Sequence, residues 1–432
     1  MGTLPTVRVP GEPGLAPAPG SSPGPSAVDS STTRTDVAVV AASGAVLAAG
    51  AIPQIITGPL GPYLRLDLGI SSSELGLGLS LSSVPGVVLS VMGGRLTDRI
   101  GGITIGRLAC ICCCLYVVAL SRAPTAAWFV AILAAAGLLR TLSEPSSSRI
   151  LVDNLIRTPR VLAFGIREAS LPLLVLVSTA VLPLFGDWLG WRTVFAASSI
   201  FAVAGLWLLL GPALPDRRSD TNRPAPSSTT PATAEPATAT PAECPGGDVA
   251  ALGLSFYGGA ALVMFNLVVF NAFASLSFVD AGSSADAAAT LVAASAGGAV
   301  LMRIGCAYAV TRRGLNARST LAAMAAVAVV GYLAMATGNS ALMLVGIPVG
   351  YLAGWGWTPL LYSYITVGRE RSTGTITGVV STLFAGAAIA GPVAAGWAAE
   401  QFGWATVWLI TALFSALAAA LMAYRQTARR LR

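Results

Sequence analysis

From Asp36 onward the chain repeats one pattern, an uncharged apolar stretch of about 20 residues followed by a short polar or charged break. As a helix such a stretch rises about 1.5 Å per residue and crosses roughly 30 Å of hydrocarbon. Lipid offers no partners for exposed N–H and C=O groups, so a helix is the one form in which each stretch pairs its own backbone. The spans predicted are 37–58, 74–93, 103–121, 125–148, 162–185 and 193–213, then 249–275, 285–310, 319–337, 341–365, 373–397 and 404–424. The expected fold class is an all-α membrane protein with twelve transmembrane helices in two pseudo-symmetric six-helix halves, residues 36–213 and 249–424. Residues 1–35, rich in proline, glycine, serine and threonine and without the apolar core of a secretory signal, read as a disordered tail. Residues 214–248 are too polar and proline-rich to fold alone and read as a disordered linker, and 425–432 form a short tail.

Composition narrows the function. Only 10% of residues are charged, against about 25% in soluble domains. The net charge of +7 comes from 26 basic residues, all arginine, which fall between apolar runs and form no single basic face, so nucleic-acid binding is excluded. Arginine without lysine beside abundant alanine suggests a GC-rich bacterial genome. There is no histidine, which removes the commonest metal ligand and the usual proton shuttle near neutral pH. "CICCC" (Cys110 to Cys114) lacks the spaced pairs of a zinc site and reads as small packing residues. No cofactor or metal is expected, and without a convergent catalytic set the chain is not expected to be an enzyme. With both termini inside the cell, 20 arginines fall in cytoplasmic segments and three (Arg65, Arg122, Arg192) outside, which orients the chain in the plasma membrane.

The two halves are related by one constant offset. "GWRTVF" at Gly190 to Phe195 returns as "GWATVW" at Gly403 to Trp408, and the same interval of 213 joins Arg99 to Arg312, Gly137 to Gly350 and Gly165 to Gly378. Between spans 2 and 3 stands "VMGGRLTDRIGGITIGR", in which Gly94, Asp98, Arg99 and Gly101 form a G-x-x-x-D-R-x-G pattern. With twelve spans, a central linker, duplicated halves and this loop, the sequence resembles the major facilitator superfamily of secondary transporters from about residue 36 onward. That resemblance implies alternating access by two rocking halves, and a latch in which Asp98 faces the start of span 11 near Ser372, Thr373 and Gly374. The alternative is that the loop arginines only anchor it inside. The duplicate of Asp98 is Thr311, so a latch would be one-sided. "SSSE" at Ser71 to Glu74 reads as a capping box that opens span 2, with no transport role for Glu74.

Ionisable groups inside spans are costly and mark a pathway or an ion pair. Arg140 lies nine residues before Arg149 and Arg303 nine before Arg312, which puts each roughly 13 Å below the inner surface. Arg303 is similar to a span-8 arginine of monocarboxylate and oxalate-type facilitators, and one arginine from each half would clamp an anion. The competing reading pairs Arg140 with Glu144 or Glu168 and lets Arg303 snorkel. Glu168, at similar depth, is the first candidate proton carrier and Glu144 the second, unless Arg167 neutralises Glu168. The fold implied by the resemblance directs Tyr257, Asn266, Trp355, Trp357 and Tyr362 toward the substrate. The function expected is transport of a small organic solute, an anion by preference, by a monomer coupled to protons. The alternative is a proton-antiport exporter of drugs or secondary metabolites.

Overall fold

The computed structural model describes residues 25–156, 158–185, 190–211, 253–313, 315–366 and 373–430. Its elements are α1 (Pro25–Thr57), α2 (Gly61–Leu68), α3 (Ser72–Ile100), α4 (Gly102–Ser121), α5 (Ala126–Asn154), α6 (Arg160–Glu168), α7 (Ser170–Phe185), α8 (Trp191–Ser198) and α9 (Ile200–Leu210) in the first half. The second half holds α10 (Leu254–Asp280), α11 (Ala285–Arg313), α12 (Ala317–Ala336), α13 (Ser340–Trp355), α14 (Thr358–Thr366) and α15 (Thr373–Arg430). The chain is an all-helical membrane protein.

Among the described residues nine helices are long and apolar enough to cross a membrane, or ten if Ser72–Leu89 and Met92–Ile100 count as one bent span. This is fewer than the twelve expected. α15 contains two expected spans, which are two helices joined at a kink by the single non-helical residue Gly403 (φ 80°, ψ 167°). The expected tenth span is divided into α13, of 16 residues, and α14 by a turn at Gly356 and Trp357. The helix of α1 begins at Pro25, inside the stretch expected to be a disordered tail, and α15 runs on to Arg430. The linker 214–248 and residues 1–24 lie outside the described residues. The capping box of α3 is present, the Ser71 hydroxyl accepting from the Glu74 amide and the Glu74 carboxylate from the Ser71 amide.

Two seams join the halves, α3 against α15 and α6–α7 against α11. Both rely on small residues that let backbones approach, as lipid-embedded interfaces generally do. A Cβ on Gly76 would run into the Pro392 carbonyl, and one on Gly165 into Ala307.

The two ends of the bundle differ. At one end polar bonds cross between halves: Arg65 to Asp280 at 2.6 Å, Tyr63 to Asp286 at 2.6 Å, and the Ser73 amide and hydroxyl to Glu400 at 2.8 and 2.5 Å. Burial raises the Glu400 pKa, but the hydrogen bonds from Ser73 and its neighbours outweigh this and hold it below the ordinary value. At the other end Arg149 pairs with Asp98 and, at 2.8 Å, with Asp153, all within the first half.

Candidate functional site

Between the halves lies a cavity of about 570 Å³, inside the range of roughly 300–1,000 Å³ usual for small-molecule sites. α1 supplies Gln54, α3 supplies Ser82 and Ser83, and α5 supplies Arg140, Thr141 and Glu144. Facing them are Met264, Val268 and Asn271 of α10, Arg303 of α11, Trp355, Trp357 and Thr358 at the α13–α14 turn, and Phe384 and Ala388 of α15. Glu168, at the break between α6 and α7, completes the wall.

Arg140 and Glu144 meet because residues four apart stack on one helix face. Arg140 Nε donates to Glu144 Oε2 at 3.2 Å and Nη1 to Gln54 Oε1 at 3.5 Å. The Gln54 amide is itself fixed, donating to the Ser82 carbonyl at 2.9 Å and hydroxyl at 3.0 Å. The pair stays open, with side-chain exposures of 31% for Arg140 and 43% for Glu144.

Arg303 is held differently. Its side chain is 2% exposed, and its donors reach the Trp355 carbonyl at 2.6 Å, the Glu168 carbonyl, Glu168 Oε2 at 3.3 Å and the Thr358 hydroxyl at 3.2 Å. The guanidinium also lies 5.1 Å from the Trp355 ring centre, a cation–π geometry. Glu168 receives a second arginine, Arg167, at 3.5 Å, and Arg167 donates to the Ser147 hydroxyl at 2.9 Å. The result is a buried Arg167–Glu168–Arg303 triad that crosses from the first half to the second. The breaks in the helices make it possible: Glu168 ends α6 and leaves its carbonyl for Arg303, and the carbonyl of Trp355, the last residue of α13, is likewise available.

The Major Facilitator Superfamily model matches residues 42–252, which contain most of the first half and both its charged clusters. Residues 42–252 carry the sequence pattern of the Major Facilitator Superfamily. Among solved structures it resembles the nucleoside transporter NupG: the D323A mutant at TM-score 0.64 and 16% identity, covering 90% of this chain and 99% of that one. A second NupG structure gives TM-score 0.59 and 14% identity, covering 90% and 98%. No curated protein matches the chain. The superfamily match indicates a transporter and not an enzyme, with a small-molecule cargo and a membrane for its setting.

Against this superfamily fold the expected site residues separate into groups. Arg140, Glu144, Glu168, Arg303, Trp355 and Trp357 come together around one cavity. Tyr257 and Asn266 do not join them. Tyr257 is buried beside Phe256, ring centres 6.0 Å apart. Asn266 points into a separate small cavity inside the second half, among Leu321, Met324, Ala325 and Ser415. Asn266 belongs to the face of α10 turned toward its own bundle, whereas Tyr257, seven residues before Met264, shares the cavity-side face but lies outside the cavity lining. The Tyr362 side chain lies outside the described residues, as does that of Thr311. Arg140 does pair with Glu144, and Arg303 does not snorkel: it is sealed between the halves.

In the loop, Gly101 makes the one-residue turn from α3 to α4 at φ 101°, a conformation that favours glycine. Gly94 and Arg99 lie on α3, and Asp98, largely exposed, binds Arg149 at the end of α5. Residues 367–372, just before α15, lie outside the described residues, so the expected meeting of Asp98 with span 11 does too. Sequence reasoning missed Gln54, Asn271 and Phe384. A lone amide in an otherwise apolar span was the available signal for Gln54, while Phe384 is indistinguishable in sequence from ordinary packing.

Proposed function

We propose that the chain is a proton-coupled secondary transporter of a small organic anion, working by alternating access. The observation that carries this reading is the open Arg140–Glu144 pair in the cavity between the halves. The four ionisable side chains that line the cavity, Arg140, Arg303, Glu144 and Glu168, sum to zero when all are ionised. One proton on Glu144 leaves the Arg140 charge uncompensated in a low-dielectric site, and an anion restores balance. Proton and anion would then load together. Arginine counts support a cytoplasmic Asp98 end in the plasma membrane, and the cross-half bonds at the opposite end support a state closed to the outside. Asp98 would serve as the latch of the inner end.

The test is uptake into proteoliposomes under an imposed pH gradient, with the passive flux of protein-free liposomes subtracted. Accumulation of a labelled carboxylate that collapses with the gradient is expected, and gradient-independent flux would overturn the coupling. A second reading, transport of a neutral nucleoside-like solute, is favoured by the likeness to NupG and by cavity groups suited to a neutral ring: Asn271 Oδ1 and the indole N–H of Trp355 and Trp357 are buried without a partner among the described residues. Competition by uridine decides between the two.

A further inference from the structure

The cavity has two unlike walls. On the first-half side stands Arg140, the one well-exposed cation among the described lining residues, fixed through Nε on Glu144 and Nη1 on Gln54, while Nη2 has no partner among the described residues. On the second-half side the partly exposed lining is Met264, Val268, Phe384 and Ala388. Phe384 is braced edge-on by Trp357, ring centres 5.4 Å apart. The polar groups on that side, Asn271, Ser381 and Thr382, are neutral. Arg303 cannot serve a second negative charge without giving up acceptors it already holds, being 2% exposed with four of them.

Resting on the anion reading above, we infer that the substrate is an amphipathic organic monoanion: one carboxylate placed at Arg140 and an apolar, ring-sized body against Phe384 and its aliphatic neighbours. A dianion finds no second accessible cation among the described residues of the lining, so its extra charge would be desolvated without a partner. A short hydroxy acid leaves the apolar wall uncovered, and a single methylene in such a pocket is worth about 10- to 200-fold in discrimination.

Purified full-length protein in detergent tests this by direct binding of labelled 3-phenylpropionate, lactate, succinate and uridine. Phenylpropionate is expected to bind at least about tenfold more tightly than lactate or succinate. Arg140→Gln should weaken phenylpropionate at least about tenfold, with Arg140→Lys intermediate. Phe384→Ala should weaken phenylpropionate and leave lactate unchanged, a split that misfolding does not produce; Phe384→Leu repeats the test if the alanine variant is unstable. If lactate or succinate bind as tightly as phenylpropionate, the apolar-body inference is overturned while the anion reading stands. Binding of uridine alone, or of none of the four by folded protein, overturns both.

Discussion

Arg140 and Arg303 line one cavity from opposite halves, yet one is available and the other is spent. Arg140 shares an open surface with a single carboxylate one helical turn away. Arg303 is enclosed by two backbone carbonyls, a hydroxyl, a carboxylate and a tryptophan ring. An arginine inside a membrane thus has two uses, which local helix chemistry decides. Arg140 lies on the continuous helix α5, whose Pro145 leaves only the Thr141 carbonyl without its helical donor, and its own donors go to the side chains of Glu144 and Gln54. Arg303 faces two helix breaks, at Glu168 and Trp355, whose free carbonyls bind it. The difference supports the proposal that Arg140 meets the cargo while Arg303 holds the halves together.

The largest expected effect is on the held arginine. Arg303→Ala removes one partner of a buried ion pair and leaves orphaned carbonyls, which should cost about 3 kcal/mol or more of stability, seen as a marked fall in melting temperature in detergent. Arg303→Lys should recover little, because a point charge cannot serve four acceptors in a fork geometry. A normal melting temperature for Arg303→Ala would erase the contrast. Next in size is Arg140→Ala, which should abolish uptake while shifting stability by less than about 1 kcal/mol, the usual worth of a partly exposed ion pair.

The carboxylates extend the same contrast. Glu144→Gln should keep substrate exchange between equal pools and lose accumulation driven by a pH gradient. Glu168→Gln should instead lower stability, since it strips the shared counter-charge from Arg167 and Arg303. If Glu168→Gln were stable and uncoupled while Glu144→Gln still accumulated substrate, the proton carrier would be Glu168, and the triad would be the moving part.

Much of this arrangement was legible in the sequence, and the limits have physical causes. Counting residues at 1.5 Å each to the next loop arginine marked Arg140 and Arg303 as deep in their spans, and both line one cavity. The Arg140–Glu144 pair followed from helical spacing, and the α3 start from "SSSE". The fate of Arg303 did not follow, because its partners, Glu168 and Trp355, are 135 and 52 residues away along the chain; Pro172 and Pro359, four residues after them and without an N–H to offer, mark their carbonyls as free acceptors but not the cation that fills them. Asn266 was misplaced for a related reason. A helical period says which residues share a face, but not whether that face meets the cavity or its own bundle.

The smallest predicted effect carries the contrast to the end of the bundle where the halves are tied. Glu400 is held by Ser73 across the seam, as Arg303 is held by Glu168, but close to solvent. Its hydrogen bonds to Ser73 outweigh the effect of burial and lower its pKa. A depressed carboxylate contributes its full stabilisation above the unfolded pKa of about 4.3 and loses it as pH falls through the lower folded value. At pH 7 the tie is therefore intact, and only strong acid or substitution releases it. Glu400→Gln should raise hydrogen exchange in residues 61–75 modestly at pH 7, after correction for intrinsic rates, with melting temperature nearly unchanged. The wild type should approach the same exchange only below about pH 4. Equal exchange in both proteins at pH 7 would mean that Arg65–Asp280 and Tyr63–Asp286 close this end without help, and that a held charge near solvent, unlike Arg303 in the membrane, adds nothing to the seal.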